Sequence, residues 1–195
     1  MAYFFSADAH FDHCNILAYT GRPFKDPSNS ECPTRTRCNG CSSIPICLKN
    51  MNEALVTNWN SVVKPEDTVY HVGDFAFHWL HEGFSNSAAY WESRLNGKIV
   101  HIKGNHDRFS NGVDTPFLKA LMNLGKYKIL VQHKPPTMEI EIQNLDIDFV
   151  ICGHVHNNWK HIFLGDKMIL NVGVDVWDYH PVQLEKIINY YEKQT

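Results

Sequence analysis

No run of apolar residues in this 195-residue chain approaches the roughly 18 needed to cross a bilayer; the cleanest, Phe149-Val150-Ile151-Cys152, is strand-sized. An excess of one charge is also missing. The 18 Lys and Arg face 21 Asp and Glu, net −3, so no global basic field gathers nucleic acid. The N-terminus shows no basic leader, and the apolar run Ala2 to Phe5 is broken at Ser6, shortly before Asp8. We therefore expect no secretory signal peptide and a cytoplasmic protein. Glycine (11) and proline (9) are too few for a collagen-like or linker composition, and no repeat or low-complexity tract occurs. What remains is a chain that is 44% hydrophobic, long enough for one domain with a real core, and unusually rich in histidine, with 12.

Strand-like and helix-like segments alternate, which argues for an α/β protein. Met1–Ser6 reads as a buried strand opening into Ala7-Asp8. Lys49–Val62 places Met51, Leu55, Val56, Trp59 and Val62 near helical spacing, and Pro65 stops it. Thr68–Val72 and Lys98–Lys103 read as strands broken by Gly73-Asp74 and Gly104-Asn105, with a helix over Ala88–Leu95 between them. The spacing predicts a helix over Thr115–Leu124, with Thr115 as N-cap and Pro116 at its first position. Lys128–Gln132, Asp148–Cys152 and Met168–Val174 read as strands, and Val182–Tyr191 as an amphipathic helix.

Five of these strands run into short polar loops: Asp8-Ala9-His10, Gly73-Asp74, Gly104-Asn105-His106-Asp107, His133, and Gly153-His154-Val155-His156. Strand ends are where α/β proteins place ligands, because the sheet fixes position while the backbone turns freely. Asp8 and His10 are two apart, as are His154 and His156, so on extended backbone each pair faces one way. Mixed carboxylate, amide and imidazole donors suit Mn, Fe, Co, Ni or Zn rather than the all-oxygen shell of calcium. The set is too large for one tetrahedral ion and suits two ions sharing a carboxylate. A fold gains no packing from Asp, Asn and His at five strand ends, which favours the metal reading over a structural one.

D-x-H, G-D, G-N-H-D, H and G-H-x-H in this order resemble the calcineurin-like metallophosphoesterases. The chain is most similar to their small bacterial and phage subgroup, through His10-Phe11-Asp12-His13-Cys14-Asn15-Ile16 and the run Asn171 to Pro181. The resemblance implies a four-layer α/β sandwich of two mixed β-sheets flanked by helices. It also implies one metal held by Asp8, His10, Asp74 and His156, and a second by Asp74, Asn105, His133 and His154. Two cations about 3.5–4 Å apart activate a bridging water and clamp the attacking and leaving oxygens at phosphorus. His106, beside Asn105 but not a ligand, would then protonate the leaving alkoxide, with Asp107 orienting that ring or the metal shell. The expected activity is hydrolysis of a small phosphodiester, such as a cyclic nucleotide, or of a phosphomonoester. A nuclease and a non-catalytic metal-binding scaffold are the alternatives from other classes.

Other residues carry two readings. His13 and Asn15 open the first helix and either contact phosphate or serve as exposed side chain and cap. His78, with Trp79 and His81, lies on a loop that forms either a pocket wall or rim packing. Lys103 and Arg108 either steer an anion or are solvated charges. Asp26–Leu48 departs from the subgroup: Cys32, Cys38, Cys41 and Cys47 stand in an x5, x2, x5 pattern, not that of a standard finger, that suits a closed structural zinc site in a reducing compartment, with free thiols or redox chemistry as the alternative. We therefore expect residues 1–195 to form one domain with a Cys-rich insert at about 26–48, no membrane association, and two divalent ions plus a structural zinc.

Overall fold

In a computed structural model of the chain, residues 1–28, 44–77, 83, 86–108 and 117–195 are described. Two mixed sheets form its centre. The first has the order β3-β2-β1-β9, from β1 (Tyr3–Ser6), β2 (Thr68–Val72), β3 (Lys98–Ile102) and β9 (Val182–Gln183). Strands β1, β2 and β3 are parallel, and β9 runs antiparallel to β1. The second has the order β4-β5-β6-β8-β7, from β4 (Lys119–Leu124), β5 (Tyr127–Gln132), β6 (Phe149–Cys152), β7 (His161–Leu164) and β8 (Lys167–Asn171). Here β5, β6 and β8 are parallel, while β4 and β7 are antiparallel edges.

Alternation along the strands decides what each face meets. Phe4 and Val69 face α1 (Cys14–Tyr19), α2 (Ile44–Val62) and α3 (Ser87–Glu92), packing with Leu17, Met51, Leu55, Trp59 and Trp91. Phe5, Val72 and Ile102 face the opposite way. They meet Ile129, Val131, Ile151 and Leu170 of the second sheet, with Leu184 and Ile187 of α4 (Leu184–Gln194) joining this inter-sheet core. The second sheet's outer face buries Leu130, Val150 and Ile169 beneath Ile142 and Ile147, next to a 3-10 turn at Glu139–Glu141.

Several boundaries differ from the sequence expectation, and one element changes type. Lys119–Leu124 is a strand, not a helix; it forms a hairpin with β5, pairing Leu124 with Tyr127. Its alternating exposure puts Ala120, Met122 and Leu124 on the inter-sheet core, a period of two that short apolar spacing does not separate from a helical one. The expected cap at Thr115 and Pro116 lies outside the described residues. The strand expected to reach Val174 ends at Asn171, followed by a 3-10 turn at Val174–Val176. The C-terminal helix starts at Leu184, because Val182 and Gln183 pair with Phe5 and Phe4. Strand β7 had no expectation at all. Among the described residues no helix is long and apolar enough to span a membrane.

Candidate metal centre

The parallel strands place the site. Asp8 and His10 follow β1, Asp74 follows β2, Asn105 and His106 follow β3, His133 follows β5, and His154 and His156 follow β6. All lie at carboxyl ends, where parallel strands in an α/β sheet leave a crevice. Backbone bonds tie the loops together: Asp8 N donates to Gly73 O (3.0 Å), His10 N to Asp74 O (3.1 Å), and Gly153 N to His133 O (3.0 Å).

Among the described residues two groups of side chains converge closely enough to hold an ion, Asp8–His10–His156 and Asp74–His133–His154; within each, the donor atoms lie within 4.8 Å of one another. The two aspartates divide their oxygens alike. Asp8 Oδ2 accepts the His154 amide (2.8 Å), leaving Oδ1 turned inward; Asp74 Oδ1 accepts the His106 amide (2.8 Å), leaving Oδ2 inward. Asp74 Oδ2 then stands 3.6 Å from His10 Nε2 and 3.3 Å from His133 Nε2, which places this carboxylate between the groups. Asn105 Oδ1 is 3.1 Å from His133 Nε2, adding an amide oxygen on the Asp74 side.

Buried Asp8 Oδ1 and His10 Nε2 find no hydrogen-bond partner among the described residues. Such atoms are costly unless something else satisfies them. A divalent cation does so, and the oxygen and imidazole donors are its chemistry, so the residues fit the pair of ions the family implies. Strain supports the same point. Among the described residues, eight non-glycine residues have positive φ, and five are Asp8, His10, Asp74, His154 and His156. Each such conformation costs on the order of 1–3 kcal/mol, and such costs cluster at functional sites. The backbone also closes in: a Cβ on Gly104 would overlap the amide and carboxylate of Asp74.

Electrostatics point the same way. Burial pushes the Asp8 carboxyl up to about 6, with Asp74 adding to the rise and His133 and His156 opposing it. At His133, burial alone would lower the imidazole, but the bond to Asp74 and the charge of Asp8 outweigh it and push it up to about 9. The negative field that favours a proton there favours a cation equally, and the two compete for Nε2. His133 Nδ1–H donates to Val72 O (2.8 Å), which directs Nε2 inward.

The remaining expected site residues are placed as follows. His106 is exposed, its ring 5.7 Å from that of His10 and 5.3 Å from that of Phe77. Asp107, 3% exposed, accepts from the amides of Asp74 (2.8 Å), Phe75 (3.0 Å) and Gly104 (2.8 Å), so its carboxylate braces both loops from behind. His13 stacks on Phe77 at 3.7 Å and touches His10; Asn15 is the second residue of α1, whose cap position makes no side-chain bond. Lys103 and Arg108 are exposed. Cys47 is buried with Sγ accepting from Asp26 N (3.1 Å), whereas His78, Cys32, Cys38 and Cys41 lie outside the described residues. Sequence reasoning missed Asp12, which accepts from Asn52 (2.9 Å), Ser87 (2.8 Å) and Trp91 (2.7 Å) and so pins the loop after β1 to α2 and α3. It also missed Arg22 and Asp175 behind His156. Asp175 stands within the run Asn171 to Pro181, but no local spacing marks its pairing with Arg22.

Two mixed sheets carrying adjoining Asp/His groups at parallel strand ends define a metal-dependent phosphoester hydrolase. The sequence profile of the calcineurin-like phosphoesterase superfamily domain matches residues 51–179, and the chain belongs to that superfamily. An uncharacterized protein of Methanocaldococcus jannaschii is 31% identical over 191 residues, which is 96% of this chain and 89% of that one. A crystal structure of a protein of unknown function from Aquifex aeolicus shares the fold, with a TM-score of 0.65 and 23% identity over 97% of this chain and 98% of that chain. Asp8 and His10 precede the matched residues and reach the site through the pairing of β1 with β2.

Proposed function

We propose that the chain is a dinuclear phosphoesterase acting on a small phosphodiester, such as a cyclic or other small nucleotide, or on a phosphomonoester. The reading rests chiefly on Asp74 Oδ2 standing between His10 Nε2 and His133 Nε2 while Asp8 Oδ1 and His10 Nε2 have no hydrogen-bond partner among the described residues. Asp8, His10, His156 and Asp74 would hold one ion, and Asp74, Asn105, His133 and His154 the other, drawn from Mn, Fe, Co, Ni and Zn. Bound divalent ions supply Lewis acidity to phosphoryl oxygens and lower the pKa of coordinated water.

The protein's own groups do the rest. Asp74 and Asp107 hold the loop carrying His106 through backbone amides, so the imidazole is presented from a fixed turn. His106, whose exposed ring lies 5.7 Å from that of buried His10, gives its proton to the departing oxygen, which would otherwise leave as an alkoxide. A net charge of −3 favours a small anion held by the centre over a long polyanion held by a basic groove. We read the chain as one cytoplasmic domain whose insert at about 26–48 is folded by a structural zinc.

Hydrolysis of bis-p-nitrophenyl phosphate with added manganese tests this. The wild type should turn over, and His106→Ala should lose roughly 10²–10⁴-fold in kcat while still binding two ions. Asp74→Ala should lose both ions. If His106→Ala loses metal as well, His106 is a ligand and the assignment fails; absence of turnover with two manganese ions bound overturns the enzyme reading for diesters.

A further inference from the structure

Behind His156 stands an ion pair that joins segments far apart in the chain. Arg22 is fully buried, and its Nε donates to Asp175 Oδ1 (2.8 Å) and its Nη2 to Oδ2 (3.1 Å). The same guanidinium donates to Asp8 O (2.7 Å) and Ala9 O (2.9 Å), with Nη1 also 3.4 Å from Met51 Sδ. Asp175 Oδ2 lies 2.9 Å from His156 Nδ1. Asp175 accepts from Arg22 through both oxygens, so in the contact with His156 its Oδ2 is the acceptor and His156 Nδ1–H the donor. With Nδ1 engaged, Nε2 is the nitrogen available to the Asp8–His10–His156 group.

A buried guanidinium–carboxylate pair is poor evidence of stability, because its desolvation cost offsets most of its attraction. Here both ends act on the candidate metal centre. One holds the strained Asp8–Ala9 backbone, where Asp8 has φ 56°; the other selects the tautomer and orientation of His156, at φ 49°. These are two of the three members of the Asp8–His10–His156 group; among the described residues the hydrogen bonds of Arg22 and Asp175 go to Asp8, Ala9, Met51, His156 and each other, not to the Asp74–His133–His154 group.

We propose that Arg22 and Asp175 are a positioning pair that presents His156 Nε2 and the Asp8 loop to a divalent cation, and so sets the affinity of that group separately from the Asp74 group. The proposal rests on the dinuclear reading above for its affinity, but not for its tautomer. Losing such a partner of a liganding imidazole typically costs 10–100-fold in metal affinity.

The experiment uses full-length, ¹⁵N-histidine-labelled protein stripped with chelator, compared with Asp175→Asn and the double variant Arg22→Met/Asp175→Leu, which leaves no unpaired buried charge. Two-bond ¹H–¹⁵N spectra should show His156 as the Nδ1–H tautomer in the wild type and as a mixture in the double variant. Manganese titration calorimetry should show two ions in the wild type. In the variants one affinity should be retained and the other reduced 10–100-fold, less in Asp175→Asn. The Nε2–H tautomer in the wild type, or equal weakening of both ions with the tautomer unchanged, overturns the proposal. Should the metal-free spectra follow the pair while the wild type binds no manganese, the dinuclear reading falls and the positioning of His156 stands.

Discussion

His13 Nδ1 lies 3.2 Å from His10 Nδ1, an imidazole–imidazole contact at the edge of the candidate centre. His10 Nε2 faces Asp8 and Asp74, and with a divalent cation held there its proton would sit on Nδ1, with His13 as the acceptor. Burial, together with His106 and Arg22, holds His13 down at about 4, keeping it neutral and able to accept. His13→Ala should therefore release the His10 ring and weaken manganese binding at one site by roughly tenfold, and His13→Asn should restore part of it. Calorimetry checks this. A raised KM with both metal affinities unchanged would instead make His13 a substrate contact.

Asp107 leads to a prediction about stability. Its carboxylate is the shared acceptor of three buried amides that bind the loop after β2 to the loop after β3. Hydrogen bonds to a charged acceptor contribute about 1.5–3 kcal/mol each and do not add fully, so Asp107→Ala should cost roughly 3–5 kcal/mol of unfolding free energy. Asp107→Asn, which keeps one acceptor oxygen, should cost less. Urea unfolding measures both, and a loss below about 1 kcal/mol for the alanine variant would mean that water replaces the carboxylate at no cost.

Much of the candidate site was legible because its donors lie at strand ends beside glycines, in signatures of two to four residues. The fold class followed from alternating segments for the same local reason. What was not legible is set by tertiary pairing. Lys119–Leu124 has apolar residues compatible with two periods, and only its partner β5 decides between them. Strands β7 and β9 are four and two residues long and exist through β8 and β1. Arg22 and Asp175 are 153 residues apart, and nothing in the neighbourhood of either marks the other. For Asp107 the sequence suggested an orienting partner for the His106 ring or the metal shell; that its carboxylate takes the backbone amides of Asp74, Phe75 and Gly104 is something no residue pattern reveals.

The four cysteines of the insert carry a test independent of the phosphoesterase centre. Cys47 stands near the start of α2, buried, with its sulfur bonded to the Asp26 amide; Cys32, Cys38 and Cys41 lie outside the described residues. Four thiolates at this spacing bind zinc far more tightly than a mixed oxygen and nitrogen site binds manganese. Purified protein should keep one zinc after the weaker ions are stripped, and Cys38→Ser/Cys41→Ser should lose it while still taking up two manganese ions. Elemental analysis reads the result directly; unchanged zinc in the variant removes the cysteines as its ligands.

His71 gives the protein an acid-sensitive core. It is fully buried on β2 between Trp59, Phe75 and His101, and neither ring nitrogen has a hydrogen-bond partner among the described residues. Burial, then the nearby His101 and His133, lower it well below its ordinary 6.5, so the folded state keeps it neutral. The unfolded chain takes up a proton there once the pH falls below about 6.5, and the folded chain does not. Unfolding then consumes a proton, and stability falls with acidification by up to about 1.4 kcal/mol per pH unit from this one group, with no effect above about pH 7.5. His71→Leu removes both unsatisfied nitrogens and the titration. Urea unfolding at pH 7.5, 6.5 and 5.5 should show its advantage over the wild type growing as the pH drops, by about 1 kcal/mol over the last interval. Parallel pH profiles for the two proteins would mean that His71 takes its proton in the folded state as readily as in the unfolded chain.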